Sequence, residues 1–151
     1  MSKNNYQDYS LVIENLVKRY GDLVAVNNIS LKVPKGAFFA FLGINGAGKS
    51  TTINVICSIL KKDSGKVYVD GKDLDTDFDS IKNEIGVVYQ NSVLDLQLSV
   101  LQNLKIRSSF YLMSKEEREK NIKYIIDLLE LEPILNKPIC DLSGGQKRRV
   151  D

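Results

Sequence analysis

Residues Gly43 to Thr51 read GINGAGKST, the pattern G-x-x-x-x-G-K-[ST] of a phosphate-binding loop that leads from a strand into a helix. A phosphate group needs several donors converging on a small volume, and glycine lets consecutive backbone N–H groups turn inward without Cβ collisions. Gly43, Gly46 and Gly48 supply that freedom, and Ile44, Asn45 and Ala47 complete the loop. Lys49 adds a point charge for the β- and γ-phosphates, Ser50 offers a hydroxyl to Mg²⁺, and the helix that Thr51 continues presents its positive end. The bland alternative is a strand-to-helix connector that happens to carry a lysine. Its flanks favour the nucleotide reading: the apolar run AFFAFL precedes it, and KSTTINVICSIL follows with Ile53, Ile56, Ile59 and Leu60 at helical spacing.

Outward from the loop the chain has two textures. From Ser10 to Tyr89 short apolar, β-branched stretches recur between turns, namely SLVIENLVKRYGD, NNISLKV, AFFAFLG, KVYVDGKDL and IGVVYQ, and they read as strands. From Asn91 onward the pattern is helical. Ser99 with Gln102, and Ser114 with Glu117, are capping-box starts, and Ile122, Ile125, Ile126 and Leu129 fall on one helix face. The organisation expected is a polar tail over residues 1–9, a β-rich nucleotide-binding core over 10–90 and a helical subdomain over 91–151, with QNSVLDLQ as the connector. The fold class expected is α/β.

Composition bounds the alternatives. Twenty-one basic residues against 19 acidic ones leave a net charge of +2, too small to argue for nucleic acid or an anionic membrane. The N-terminal MSKNNYQDYS lacks an apolar core, and AFFAFL is far below the roughly 20 residues of a membrane helix, so a soluble, unexported chain is expected. Cys57 and Cys140 lack metal-ligand spacing and read as reduced, packed thiols. The chain has no histidine, the commonest general base.

Two further motifs follow the loop. VVYQN, residues 87–91, puts Gln90 at the end of an expected strand. LSGGQ, residues 142–146, makes Ser143 an N-cap with Gln146 three residues on, while Gly144 and Gly145, bare of side chains, expose their amides to an anion. Taken singly, Gln90 is a strand-end amide, Lys147 to Arg149 a solvated helix face, and Tyr20 in VKRYGD a packed strand tyrosine before a Gly-Asp turn.

GINGAGKST, VVYQN and LSGGQ in that order resemble the ATP-binding domain of ABC transporters, over nearly the whole chain from Ser10. The resemblance implies an ABC-type P-loop NTPase with an N-terminal antiparallel β portion and a helical subdomain, using ATP and Mg²⁺. It makes Gly43 to Thr51 the Walker A loop. It gives Lys49 and Gln90 catalytic roles, Ser50 and Gln90 contacts to the metal, and Tyr20 the aromatic ring that stacks on adenine. By the same resemblance Ser143, Gly144, Gly145 and Gln146 act on the γ-phosphate of ATP held by the opposite subunit, so that nucleotide joins a head-to-tail dimer.

The family pattern continues after LSGGQ with a Walker B Asp and Glu, a D-loop and a switch histidine, which residues 1–151 do not contain. The helix opened at Ser143 also meets no Gly or Asn stop. The expectation is therefore the N-terminal part of a longer domain, with an incomplete parallel sheet, that binds ATP and does not hydrolyse it alone. The resemblance further implies an ATP-binding subunit at the cytoplasmic face of the membrane, working through a separate membrane-spanning transporter subunit. SVLQNLKIRSSFYLMSKEEREKNI, residues 99–122, resembles the drug- and antibiotic-efflux branch. The competing readings are a soluble ABC ATPase of translation or DNA repair and an inactive truncated product. The DNA-repair type carries a coiled-coil insertion after the glutamine, and the 51 residues from 91 to 141 show no sustained heptads.

Overall fold

A computed structural model describes residues 6–82 and 84–151. They divide into two compact units, Met1–Val87 and Val88–Asp151.

The first unit is built on a long hairpin. Strands β1 (Tyr9–Tyr20) and β2 (Leu23–Pro34) pair antiparallel through the two-residue turn Gly21-Asp22. Gly21 takes φ +56°, the sign that lets so short a turn follow the strand twist. Strands β3 (Ser64–Val69) and β4 (Lys72–Asp73) extend the sheet in the order β2-β1-β3-β4, every pairing antiparallel. The hairpin register shifts at four places, and the two in the middle are marked by asparagines. β1 carries one extra residue between Ile13 and Leu16, and β2 one extra between Leu16's partner Ile29 and Val26; Asn15 (φ 50°) and Asn28 (φ 53°) sit in them, since asparagine tolerates left-handed backbone. One core buries Ile13, Leu16, Val26, Val67 and Val69 with Val55, Leu74 and Ile81.

Helix α1 (Lys49–Ile56) follows the glycine-rich loop. It buries Thr52 and Val55, whereas Ile53 and Ile59 are exposed. Of the four expected residues Ile56 and Leu60 pack against the core and Ile53 and Ile59 do not, and the helix stops earlier than KSTTINVICSIL suggests, because Ser58 turns to φ +54°. The face is set by how the helix start docks on β2, not by the count of isoleucines.

Two expected strands do not form. AFFAFLG and IGVVYQ take no place in the sheet, and Phe38 and Leu42 are 99% and 88% exposed. A stretch apolar on both faces is the pattern of a parallel strand flanked on either side. Such a strand needs sequence-distant neighbours, and none of the described residues supplies them. A one-turn helix α2 (Phe78–Ile81) seals the bottom of the core with Ile81.

The second unit is helical. α3 (Val100–Ser108), α4 (Lys115–Leu128) and α5 (Gly144–Val150) are joined by loops and two short 3₁₀ turns. α3 and α4 start with the expected capping boxes: Gln102 N–H donates to Ser99 Oγ and Glu117 N–H to Ser114 Oγ, both at 3.2 Å, with the side chains reaching back. The Ser114 backbone N–H that donates to the Glu117 carboxylate at 2.9 Å, then the Ser114 hydroxyl, hold that carboxyl below its usual pKa. Ile122 and Ile126 are buried with Leu94, Val100, Leu131, Ile134, Ile139, Leu142 and Val150; Leu129 is partly covered and Ile125 is exposed. Buried Asn103 pins the connector. Its Oδ1 accepts from Asp95 N–H at 2.8 Å, and its Nδ2 donates to the Asp95 and Ser99 carbonyls at 3.0 and 3.1 Å. Both cysteines are free. Cys57 is partly buried, which pushes its thiol pKa up, but Cys140 is exposed and so not the packed thiol expected.

A Cβ on Gly65 would lie 2.5 Å from the Asn15 carbonyl oxygen at φ +91°, whereas Gly36 at φ +72° faces open space. Gly36→Ala should therefore cost only the left-handed strain of about 1–2 kcal/mol, and Gly65→Ala clearly more. Urea unfolding of both variants checks the order, and equal losses would show that the β1–β3 approach is loose.

Candidate nucleotide site

The loop from Gly43 to Gly48 is anchored at its far end. Gly48 is the N-cap of α1 at φ +80°, and a Cβ there would lie 2.3 Å from the Ala25 carbonyl oxygen and 3.2 Å from Val26 Cγ2. Only glycine permits that approach. The Gly48 carbonyl then accepts two bonds from buried Thr52, from its N–H at 2.8 Å and its hydroxyl at 2.9 Å. So the helix start is fixed to β2 and its first turn is rooted in the core.

Helix α1 has no side-chain cap and no acidic residue in its first turn. Its leading N–H groups carry the positive end of the helix dipole with nothing from the side chains to neutralise it. Lys49 folds over the loop, donating from Nζ to the Gly43 and Ile44 carbonyls at 2.7 Å each. Two of its three donors close the loop, and the third remains for a ligand. Ala47 N–H donates to the Ile44 carbonyl at 3.3 Å, and Gly46 turns through φ +85° in open space. Asn45 and Ser50 are exposed and Thr51 half-buried. The arrangement is a cationic, donor-rich and open helix start suited to a polyphosphate.

Tyr20 ends β1 opposite Leu23, and the residue is 48% exposed. Gly48 lies against Ala25, two residues along β2 from Leu23, a strand distance of roughly 7 Å. Thus one end of one hairpin carries both the ring and the seat of the loop. The sequence reading missed Asp63. Its carboxylate accepts from Arg19 N–H and from Lys18 Nζ, the latter at 3.2 Å, and its own N–H donates to the Val17 carbonyl at 3.0 Å. The Arg19 hydrogen bond, then Lys18, hold the Asp63 carboxyl below the usual aspartate range.

Gln90 and the LSGGQ segment belong to the second unit. Gln90 is exposed, beside Tyr89, whose carbonyl accepts from the Arg148 guanidinium at 2.9 Å. Ser143 is the N-cap of α5. Its N–H donates to Gln146 Oε1 at 2.9 Å, and Gln146 N–H donates to Ser143 Oγ at 3.3 Å, which is the capping box read from S-x-x-Q. Gly144 and Gly145 face open space. Of the KRR run, Lys147 and Arg148 tether backbone carbonyls, those of Cys140 and Tyr89, rather than lying free in solvent. Among the described residues no cluster of Cys, Asp or Glu could hold a metal by itself, and no helix is long and apolar enough to cross a membrane.

A glycine-rich loop at an uncapped helix start, on an antiparallel β unit and with a separate helical unit, defines a P-loop nucleotide-binding class. The family model described as ABC transporter matches residues 26–151. The sulfate/thiosulfate import ATP-binding protein CysA of Synechocystis sp. is 33% identical over 141 residues, covering 93% of this chain and 39% of that protein. The Nod factor export ATP-binding protein I of Cupriavidus pinatubonensis is 33% identical over 140 residues, covering 93% and 43%. A solved dimeric ATP-binding cassette, MJ0796, in a post-hydrolysis state bound to ADP and Pi, matches with a TM-score of 0.74 at 32% identity, covering 93% of this chain and 66% of that one. The chain belongs to the ATP-binding family of ABC transporters. It spans less than half the length of the two curated relatives.

The Asp63 clamp has a pH signature. Because its folded pKa is depressed, its stabilisation is complete above the ordinary aspartate value of about 3.9 and is lost as pH falls through the lower folded value. Asp63→Asn should flatten the acid limb of the stability-against-pH curve below about pH 4 while leaving its slope near neutrality unchanged. An unaltered acid limb would mean that the carboxylate is not engaged.

Proposed function

We propose that the chain is the nucleotide-gripping portion of the ATP-binding subunit of an ABC transporter. The observation that supports this most is the uncapped start of α1, seated by Gly48 on β2 with the Lys49 ammonium over the loop. In this reading the loop amides from Gly43 to Thr51 and Lys49 hold the β- and γ-phosphates of ATP. The exposed Ser50 hydroxyl suits Mg²⁺, which takes few protein ligands and shares the phosphate oxygens. Ser50 would hold that ion, which would supply charge neutralisation to the phosphates, and the motif resemblance alone adds Gln90 as a metal contact. Tyr20 stacks on adenine. Gln90 and Lys49 are the catalytic contributions of these residues, and Ser143, Gly144, Gly145 and Gln146 meet the γ-phosphate of ATP bound to a second copy.

The dimeric cassette bound to ADP and Pi supports the nucleotide and a second copy as partner, and the head-to-tail arrangement is the one the motif order implies. The transport names of the relatives support a membrane-spanning partner and a place at the cytoplasmic face of the membrane. Import and export relatives match at the same 33% identity. Our preference for export rests on the efflux-like texture of residues 99–122.

Lys49→Ala removes a charge-assisted phosphate contact, and MgATP affinity measured by calorimetry should fall about ten- to a hundredfold. Equal affinity in variant and parent would remove the loop from the site. Gly145→Asp puts a carboxylate where the proposed γ-phosphate docks. ATP binding should persist while ATP-dependent dimerisation of the full-length subunit, read by light scattering, is lost. A variant that still dimerises would exclude the signature's role. The polypeptide 1–151 should release no phosphate from MgATP beyond background, since a positioned proton acceptor contributes about 10²- to 10⁴-fold and none of its residues matches that role in the family pattern; turnover abolished by Lys49→Ala would overturn this.

A further inference from the structure

The end of β1 is held by a device that the proposed site does not explain. β3 begins at Ser64, paired with Val17. Beyond that register β1 has no strand neighbour on the β3 side, so the Arg19 N–H would be an orphan donor. The Asp63 carboxylate takes it, and the Asp63 N–H takes the Val17 carbonyl. One residue thus closes the ladder by side chain and backbone together, immediately before Tyr20.

The same carboxylate draws the Lys18 ammonium inward. The Lys18 side chain is only 12% exposed, and its Nζ lies 5.7 Å from the centroid of the Tyr20 ring, within the range of a cation–π contact. A mostly buried lysine therefore covers one side of a tyrosine that otherwise keeps about half of its surface in solvent. A ring at a hairpin tip would otherwise sample several rotamers. Here the ammonium favours one of them, and the carboxylate fixes the ammonium.

We propose that Lys18 and Asp63 are positioning residues for the base: Asp63 holds the Lys18 ammonium against one side of Tyr20, so that the ring presents its opposite face, already oriented, to the adenine of a bound nucleotide. This rests on the reading of Tyr20 as the base platform. The pair contributes pre-organisation, because ordering the ring before binding removes a cost that the base would otherwise meet on arrival. It acts on the base alone. The phosphates lie on Lys49 and the loop amides, whose geometry depends on Gly48 and Thr52 and not on Lys18.

The test is calorimetry of the chain with MgATP and, separately, with magnesium tripolyphosphate, which carries the phosphates without a base. Lys18→Met keeps the apolar stem, Asp63→Asn keeps an acceptor for the Arg19 N–H, and Lys18→Arg keeps a cation over the ring. Lys18→Met and Asp63→Asn should each weaken MgATP about two- to fivefold and leave tripolyphosphate unchanged, and Lys18→Arg should restore the parent affinity. In a Tyr20→Ala background neither substitution should have any further effect, because the group they position is gone. Equal weakening of both ligands, or an undiminished effect in the Tyr20→Ala background, would overturn the positioning role while leaving the base platform intact. If Tyr20→Ala itself leaves the ratio of the two affinities unchanged, the platform reading fails and the positioning role falls with it.

Discussion

The contact on which the first unit depends is the approach of Gly48 to the Ala25 carbonyl. A Cβ at 2.3 Å from that oxygen is impossible, and φ +80° is closed to most side chains. The helix can begin there only because the residue is glycine. Once it does, its rotation is set, and Thr52 and Val55 turn into the core while Ser50 stays exposed. The same contact decides which isoleucines stay wet. A strand hairpin, bulged at two asparagines, thereby aims a helix terminus.

Why one sheet forms and another does not follows from where the partners lie along the chain. β1 and β2 are joined by two residues, and their pairing needs no distant segment. The stretch from Ala37 to Leu42 has the double-sided apolar pattern of a flanked parallel strand, and its partners must come from elsewhere. Its exposure at Phe38 and Leu42 is the visible result.

That difference also decides what could be read in the sequence. The three capping boxes at Ser99, Ser114 and Ser143 were legible because each is a four-residue exchange of hydrogen bonds that depends on nothing outside it. The loop from Gly43 to Thr51 was legible because backbone geometry, expressed as glycines at fixed offsets, carries its chemistry. AFFAFLG and IGVVYQ were misread as strands, since apolar texture reports what a segment needs and not whether a neighbour supplies it. The face of α1 is legible only in part, at Ile56 and Leu60 and not at Ile53 and Ile59, because Gly48's seat on β2 is a tertiary fact. Asp63 was invisible for the same reason: it lies 45 residues from Lys18 and 44 from Arg19, and a lone aspartate before Ser-Gly looks like a turn.

The two helix starts that the proposed function assigns to phosphate are built differently, and the difference implies an order of events. At α1 the side chains cap nothing, and a lysine stands over the loop. At α5 Ser143 and Gln146 satisfy each other's backbone, leaving only the amides of the two open glycines and the free proton of the serine hydroxyl. A bare helix terminus at an exposed site attracts an anion by about 0.3–1 kcal/mol, while each charge-assisted hydrogen bond contributes about 1.5–3 kcal/mol and the loop offers several. Free nucleotide would therefore settle on the loop. Under the proposed function the signature surface would gain its ligand only when a second copy brings that nucleotide to it, and its weakness alone would let it answer to occupied partners and ignore empty ones.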